Sequence, residues 1–455
     1  MTALTPELTQ LRSLDATRVR ALARDVSVGA ALLYWATIET WSIGGQQPHV
    51  LSISAILVAL ATVIVRPWER VPLIGTAAVL GLGMAASLVP FVTPTGTSAS
   101  AGAANYVVAS QLGLLVCGWA TDAGRRRLAL VIVVAAGLLE MAKGYVAWWA
   151  AGIPDKVFVG TFYWHNQTGA FLAATAAASL LLVLGRLPRL EVLGWVTFPL
   201  SVAGLRYTTS RASQLCLGVA CAAVAAVCLY RVLRSREAVE AFRLVRLGIL
   251  GVAAALCVHF LSGPPFFSSH ATGTVDVSRD QSVATNAGHR LEFWHDAWRN
   301  FLHWPLTGAG YDSFASATRV VTPHHAAASS YVHSGFFQAL NDGGLLLTVP
   351  LLFAGLVVTV ALWRRVRGRT FDTPALAATL ALGVASAHSM LDFDWTYPAL
   401  LAYAAVLAGI VCSNVDAPVR RRSALGVLSV GLLVLAAIGA RHGLTVQVRP
   451  LVGAS

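Results

Sequence analysis

Arg290 and His333 are two residues in this sequence whose types suit a shared chemistry. Both lie in residues 262–344, the longest polar stretch of an otherwise strongly hydrophobic chain. A histidine can act as a general base near neutral pH, and an arginine can bind a phosphate through two parallel hydrogen bonds. Spacing alone leaves two structural alternatives open. Arg290 could extend to lipid phosphates at a membrane surface, and His333 could cap a helix.

Two further segments place charged side chains beside apolar runs. The segment LRYTTSRASQL carries Arg206 and Arg211 among hydroxyl groups. This combination suits an anion at the N-terminus of a helix, although arginines that reach lipid headgroups would look the same. The segment HSMLDFDWTYP carries Asp392 and Asp394. Carboxylates at membrane depth are costly, so these two either pair with Arg211 or Arg290 or bind an acceptor or a sugar.

A fourth segment, GTFYWHNQTGAFLA, brings Tyr163, Trp164 and His165 to the start of an apolar run. Anchoring at the membrane interface explains the two aromatic residues, with stacking on a sugar as the alternative. His165 is a candidate for substrate binding.

No metal site is expected. His324 and His325 are adjacent, and neighbouring side chains in an extended loop diverge. All six cysteines fall inside apolar runs, and none forms a CxxC pair, so neither a metal site nor a disulfide framework is indicated.

The composition requires a membrane environment for these groups. Of 455 residues, 56% are hydrophobic and 12% are charged, against about 25% charged residues in soluble proteins. The net charge of +12 could indicate nucleic acid. However, the basic residues lie in short loops between apolar runs, so membrane topology explains them better and no nucleic-acid partner is expected. The fold class predicted is an all-α polytopic membrane protein.

Apolar runs of about 20 residues, long enough to cross a bilayer, recur along the chain. About 12–13 transmembrane helices are expected, with one large extracytoplasmic loop that contains amphipathic helices. The predicted spans are 26–43, 50–65, 73–92, 105–120, 128–149, 166–185, 191–205, 212–231, 247–262, 344–363, 375–391, 396–413 and 423–440. The corresponding organisation is a cytoplasmic tail 1–25, helices in 26–262, a catalytic loop 263–343, helices in 344–440 and a tail 441–455.

The positive-inside rule orients these spans. With the N-terminus in the cytoplasm, most of the 33 lysines and arginines fall in the inner segments. The polar stretch 262–344 then lies outside, as do the loop 150–165, the Arg206–Arg211 loop and the turn 392–398. These four segments could converge on one face of the bundle. We therefore expect a multi-pass protein of the inner (cytoplasmic) membrane with its site on the periplasmic, extracytoplasmic face.

Within the long loop, residues 289–303 read as an amphipathic helix. Leu291, Trp294 and Trp298 belong to its apolar face, which suits a helix lying in the membrane interface. Farther upstream, Glu140 and Lys143 are spaced i,i+3 within a span and are expected to neutralise each other.

The order of these motifs resembles the bacterial O-antigen ligase and O-antigen polymerase superfamily. The resemblance rests on TSRAS after a span, then HRLEFWHDAWRNFLHWPLTGAGYDSF, then YVHSGFFQALNDGG, then LDFDWTYP, and it covers about residues 165–398. It implies a polytopic glycosyltransferase that uses a polyprenyl-diphosphate-linked glycan as donor. A lipid, glycan or protein serves as acceptor among membrane lipids. No cofactor is implied.

Carried over to this chain, the resemblance makes His333 the candidate base and places Arg211 and Arg290 on the donor diphosphate. Arg206, Asp392, Asp394, His165 and Trp294 are candidates for substrate binding. The sequence departs from the family in two respects: many relatives have His-Asn where this chain has His333-Ser334, and the family expectation is twelve spans rather than thirteen.

The implied reaction is a metal-independent, inverting glycosyl transfer, by ligase or polymerase, which differ in acceptor. The alternative is a transporter or flippase for a lipid-linked or anionic substrate, for which ionisable residues near the middle of the membrane would be typical.

Overall fold

The computed structural model describes residues 5–94, 100–150, 158–185, 190–235, 238–261, 283–323, 329–368, 370–413 and 422–452. All regular secondary structure in these residues is helical. The α-helices are α1 (Thr5–Tyr34), α2 (Pro48–Val65), α3 (Leu73–Val92), α4 (Ser100–Trp119), α5 (Ala123–Ala150), α6 (His165–Leu184), α7 (Leu190–Tyr207), α8 (Arg211–Ser235), α9 (Ala238–Leu261), α10 (Val283–His303), α11 (Phe314–Val321), α12 (Gly335–Gly368), α13 (Thr373–Ser389), α14 (Pro398–Cys412) and α15 (Ser423–Val452).

Each predicted span overlaps one of these helices, although the span 26–43 continues beyond the end of α1 at Tyr34. In the described part of the chain, nine helices are long and apolar enough to cross a membrane: α2 to α6, α8, α9, α12 and α15. Helix α14 is a shorter apolar helix. The prediction of an all-α polytopic membrane protein is confirmed.

Helix α6 forms the centre of the bundle. An 18-residue stretch of this helix is 100% buried, whereas the corresponding stretches of α8 and α9 are 17% and 11% buried. Its alanines and serines are small enough to let α7 and α13 pack closely against it. The polar N-terminus of α6, His165–Gln167, therefore meets the turns at one end of the bundle rather than lipid.

Helix α12 is broken at Gly344, where the predicted span begins, and its first part extends back to Gly335. In an unbroken helix, the N–H groups of residues 345 and 346 would donate to the carbonyls of residues 341 and 342. Instead they donate to Pro305 and Leu306, at 2.9 Å each. The freed carbonyls accept from Ala309 at 2.7 Å and Gly310 at 3.0 Å. We call residues 305–310 the inserted loop.

Two glycines allow the inserted loop to enter the helix. Gly308 has φ +69°, and a Cβ atom there would lie 2.5 Å from the nitrogen of Gly343. Gly344 has φ +53°, and a Cβ atom there would lie 2.6 Å from the nitrogen of Gly308. Both positions therefore require glycine for conformation and for space. Since the inserted loop follows α10, this contact fixes α10 against α12.

Helix α10 confirms the predicted amphipathic segment and shows how its faces are used. The apolar residues Leu291, Trp298 and Leu302 are exposed, as suits contact with a membrane interface. The face that packs against the protein is mixed: Ala297 and Asn300 are buried, and Asn300 donates to Asn341 Oδ1 at 2.9 Å. Glu292 and Arg299, on the predicted polar face, are exposed.

Glu140 and Lys143 form no short ion pair among the described residues, and each has another partner. The buried Glu140 carboxylate accepts from the backbone N–H of Thr161 at 2.6 Å and from its hydroxyl at 2.5 Å. The Lys143 ammonium lies 4.4 Å from the ring centroid of Trp41. The turn containing Thr161 folds back over α5 and brings donors closer to the carboxylate than Lys143 is.

Candidate functional site

Asp392 is the central acceptor of the candidate site. It lies in the turn between α13 and α14, and its side chain is 0% exposed. A buried carboxylate is stable only when donors or cations surround it. Five donors do so here: Arg290 Nη2 at 3.1 Å, Asn166 Nδ2 at 2.8 Å, Gln167 Nε2 at 3.3 Å, His333 Nδ1 at 3.2 Å and the backbone N–H of Phe393 at 2.9 Å. We call Asp392 with the side chains of Arg290, Asn166, Gln167 and His333 the Asp392 cluster.

His333 is held just outside α12. It lies two residues before Gly335, the first residue of this helix, and has φ +55°. This left-handed conformation turns its ring away from the helix and onto two aromatic side chains. The ring stacks on Phe293, with ring centroids 5.5 Å apart. It is perpendicular to the ring of Phe393, with a centroid distance of 4.8 Å. The imidazole is thus fixed in position by packing as well as by Asp392.

The tautomer of His333 follows from its partner. An ionised carboxylate only accepts hydrogen bonds, so in the neutral imidazole Nδ1 carries the hydrogen that is donated to Asp392. Nε2 then has a free lone pair. Since the side chain is 24% exposed, Nε2 is available to a proton donor from outside.

Arg290 extends from α10 toward Asp392 rather than along the helix toward lipid. Its Nη1 donates to the carbonyl of Leu391, and its Nη2 donates to Asp392. A guanidinium has five N–H donors, and the side chain is 25% exposed. The remaining donors can reach an anionic ligand at this surface.

Trp294 lies beside the site and contacts the segment that carries the base. Its indole N–H donates to the carbonyl of His333 at 3.1 Å, and its ring stacks on Phe337 with centroids 5.7 Å apart. The side chain therefore holds the backbone of His333 in place.

The loop between α7 and α8 reaches the Asp392 cluster through α6. The ring of His165 bonds to the carbonyl of Thr208 at 2.8 Å, and the next residue, Asn166, donates to Asp392. Arg206 lies in the last turn of α7, and Arg211 begins α8; both side chains are exposed. Neither forms an ion pair with a carboxylate of the described residues. Their charges are thus available to a ligand.

Asp394 occupies a second, deeper position. It bonds to His388 Nδ1 at 2.6 Å, and Gln167 Nε2 lies 3.4 Å from it and 3.3 Å from Asp392. Asp394 is 3% exposed and His388 is 0% exposed. Asp394 therefore supports the buried side of the turn rather than the surface that faces Arg290.

The two carboxyl groups of this turn have opposite pKa shifts. Burial acts to raise the pKa of Asp392, but the hydrogen bond from His333 and the charges of His333 and Arg290 outweigh it and hold the pKa well below its usual range. Burial raises the pKa of Asp394, and the charge of Asp392 adds to this effect against the opposing influence of His388. Asp392 is therefore the ionised partner in the site.

The arrangement combines an oriented imidazole and a guanidinium on the same buried carboxylate. Two further guanidinium groups, those of Arg206 and Arg211, have no carboxylate partner among the described residues and flank Thr208, which bonds to His165. The arrangement can bind an anion and remove a proton from a hydroxyl group at one surface. Among the residues that the structure describes, no three histidine, cysteine, aspartate or glutamate side chains are grouped as metal ligands would be.

Residues 196–352 match the family described as O-Antigen ligase. This segment belongs to the O-antigen ligase family. The resemblance to the O-antigen ligase and polymerase superfamily is thereby confirmed for this segment. The match, together with the apolar helices of the described residues, supports a multi-pass membrane enzyme of the O-antigen ligase type. No curated protein matches the chain.

The O-antigen ligase segment contains Arg206, Arg211, Arg290, Trp294 and His333. The partners Asp392 and Asp394, and the α6 residues around His165, lie outside it. The structure thus assembles the site from the matched segment and from two regions on either side.

The sequence analysis did not identify three residues that the structure places in the site. Asn166 and Gln167 donate to Asp392, and His388 bonds to Asp394. Each is a polar residue inside or at the end of an apolar run. Since polar side chains in spans are costly and usually paired, this was the feature that could have identified them.

Proposed function

We propose that this protein transfers a glycan from a polyprenyl-diphosphate donor to a hydroxyl group of an acceptor. The observation that carries the proposal is that one buried carboxylate, Asp392, holds both Arg290 and His333. A group suited to bind a diphosphate and a group suited to deprotonate a hydroxyl are therefore fixed relative to each other. Membership of the O-antigen ligase family supports this reaction class.

The donor diphosphate is proposed to bind between Arg290 and Arg211. Arg290 retains free N–H groups beside Asp392, and Arg211 begins α8, where the helix dipole also favours negative charge. These guanidinium groups stabilise the charge that grows on the leaving diphosphate, a kind of interaction that typically dominates catalysis. They supply positive charge without a metal ion, so the proposed reaction is metal-independent.

His333 is proposed to act as the general base. Nε2 accepts the proton of the acceptor hydroxyl while Nδ1–H remains bonded to Asp392. The acceptor oxygen forms a bond to the anomeric carbon as the bond from that carbon to the diphosphate oxygen breaks. The electron pair leaves with the diphosphate, and a single displacement inverts the anomeric configuration.

The site is proposed to face outward from the cytoplasmic membrane, with residues 263–343 as the extracytoplasmic loop. The basic residues favour this orientation. It also suits a lipid-linked donor, because the long isoprenoid chain requires the site to be at the membrane surface. The acceptor, whether lipid, glycan or protein, would approach from the same side.

The test is product analysis with purified protein in liposomes. The protein is incubated with a polyprenyl-diphosphate glycan and a hydroxyl acceptor, and the linkage is determined by nuclear magnetic resonance. We expect covalent transfer with an inverted anomeric centre. Transfer should be lost in Arg290→Ala and kept in Arg299→Ala, the matched control on the polar side of the same helix.

Movement of the lipid-linked glycan across the liposome membrane without covalent transfer would contradict the proposal and favour a flippase. Retention of the anomeric configuration would contradict the single displacement.

A further inference from the structure

A cavity of about 410 Å³ adjoins the Asp392 cluster and has no part in the reaction described above. Its volume is within the range of roughly 300–1,000 Å³ that small-molecule sites occupy. Six of its lining residues carry the inference: Asn105, Tyr106, Asp312, Tyr331, Asp342 and Trp395. We call it the Tyr331 cavity.

The Tyr331 cavity and the Asp392 cluster share a wall. Tyr331 lies two residues before His333 and stacks flat on Phe393, with centroids 4.4 Å apart. Phe393 in turn contacts the His333 ring. A ligand against the cavity side of Tyr331 would therefore be one aromatic layer away from the proposed base.

A chain of hydrogen bonds also connects the Tyr331 cavity to the Asp392 cluster. Gln338 donates to Asp342 Oδ1 at 2.8 Å and accepts from the backbone N–H of Val332 at 3.0 Å. Asp342 lines the cavity, and Val332 precedes His333. The position of the base is thus linked to a cavity carboxylate.

The lining of the cavity disfavours anionic ligands. It includes the carboxyl groups of Asp312 and Asp342, and its described residues include no lysine, arginine or histidine. A phosphate or a carboxylated sugar would therefore find no cationic partner here. The donor diphosphate is therefore better accommodated at the arginines than in this cavity.

The polar groups of the lining suit a ligand rich in hydroxyls. Asn105 is 3% exposed, and its Oδ1 has no hydrogen-bond partner in the described structure. Asp312 has φ +54° and is exposed where it lines the cavity. Carboxylate and amide oxygens accept from hydroxyls, and the rings of Tyr106, Tyr331 and Trp395 offer apolar surfaces. Uncharged sugars combine hydroxyl edges with apolar ring faces.

We propose that the Tyr331 cavity binds an uncharged sugar residue of the acceptor and discriminates against acidic sugars. This inference rests on the proposed function, since it assigns the cavity to the second substrate of that reaction. It identifies Asp312 as a residue that determines acceptor specificity.

The test measures binding of single sugars to the purified protein by saturation-transfer nuclear magnetic resonance. The probes are the methyl glycosides of glucose, galactose and mannose, with methyl glucuronoside as the acidic counterpart. We expect at least one neutral glycoside to bind. The glucuronoside should bind at least about tenfold more weakly, because its carboxylate would be desolvated in the cavity without a cationic partner.

Two variants locate the binding. Asp312→Asn keeps the shape of the side chain, and asparagine tolerates a positive φ. This variant should bind the neutral glycoside about tenfold more weakly, as expected for the loss of one charge-assisted hydrogen bond. Tyr331→Ala removes one of the aromatic surfaces of the cavity and should also weaken binding. Asp122→Asn, at an exposed position before α5, should change nothing. Equal binding of neutral and acidic glycosides, or unchanged binding in both cavity variants, would overturn the proposal.

The bound sugar could belong to the acceptor or to the donor glycan. A separate measurement of donor binding distinguishes these two cases. Neutral glycosides should not compete with a polyprenyl-diphosphate glycan. Competition would assign the cavity to the donor glycan and overturn its assignment to the acceptor. If neutral glycosides bind as expected but no transfer occurs in the liposome assay, the proposed function fails while the cavity remains a sugar site.

Discussion

His333 Nδ1 lies 3.2 Å from Oδ1 of Asp392, although 59 residues separate them in the chain. The other oxygen of that carboxylate accepts from Arg290 at 3.1 Å. A single buried side chain thus sets the distance between a candidate base and a candidate anion-binding group. The first three predictions concern these groups.

Replacement of the base should be rescued chemically. We expect His333→Ala to reduce kcat by about 10²–10⁴-fold, the usual contribution of general base catalysis, with donor binding unchanged. Added imidazole should restore part of the rate, because it can occupy the space between Phe293 and Phe393. The control is His289→Ala, an exposed histidine on α10. Full activity in His333→Ala would contradict the assignment.

Acidification to about pH 5 should not remove the stabilising contribution of Asp392. The lowered pKa of Asp392 means that its contribution to stability is fully present above the usual aspartate pKa of about 3.9 and is lost only as the pH falls through the lowered value. The destabilisation caused by Asp392→Asn, measured as a difference in melting temperature, should therefore be the same at about pH 8 and at about pH 5. A difference that shrinks over this range would contradict the lowered pKa.

Neutralisation of the central carboxylate should affect both functions of the site. Asp392→Asn leaves Arg290 without its counter-charge and removes the acceptor of His333, so we expect loss of transfer, weaker donor binding and a destabilisation of up to about 3–5 kcal/mol. The comparison variant is Asp394→Asn, which should destabilise the protein but leave donor binding intact, because Asp394 pairs with His388. Equal donor-binding defects in the two variants would contradict the distinction.

Arg211 should contribute to the reaction with the donor but not to the stability of the fold. Its side chain is exposed and has no carboxylate partner among the described residues. We expect Arg211→Ala to lower kcat/KM for the donor by about 10²–10³-fold, as for loss of one charge-stabilising donor, at an unchanged melting temperature. Arg234→Ala, at the far end of the same helix, should be active. A defect limited to folding would show that Arg211 has a structural role instead.

Glycine should be required where the inserted loop enters α12. We expect Gly344→Ala and Gly308→Ala to cost at least about 1–3 kcal/mol from backbone strain alone, with further loss from contact with the opposing backbone. Gly355→Ala is the control in the same helix, since a Cβ atom there has no neighbour within 4 Å. Thermal unfolding in detergent should separate the three variants. Similar stability of Gly344→Ala and Gly355→Ala would show that the break is not essential.

The fold could be predicted from the sequence because its helices are continuous apolar runs whose length is set by the bilayer. The pairing of Asp392 with Arg290 was one of two alternatives, and 102 residues separate the partners. No local pattern chooses between such alternatives. The left-handed backbone of His333 and the role of Gln167 depend on neighbours from other helices, so they could not be read from spacing.

The face of α10 that packs on the protein was also not evident from the sequence. In a soluble protein the apolar face would be buried, but here Leu291 and Trp298 are exposed while Asn300 is buried. The buried face is mixed, because Trp294 and Ala297 pack inward beside Asn300 while Glu292 and Arg299 are exposed. The alternation of apolar and polar residues therefore predicts the helix but not the face that packs on the protein.

The inserted loop pairs with α12 through backbone groups at both its ends, residues 305 and 306 on one side and 309 and 310 on the other. Main-chain pairing of this kind does not depend on the identity of most side chains. It depends on the number of residues between the paired groups. Insertion or deletion of one residue here would change the register and displace α10, and with it Arg290, relative to His333. Apart from its glycines, the length of this loop, more than its composition, is therefore the property that natural variation has to preserve.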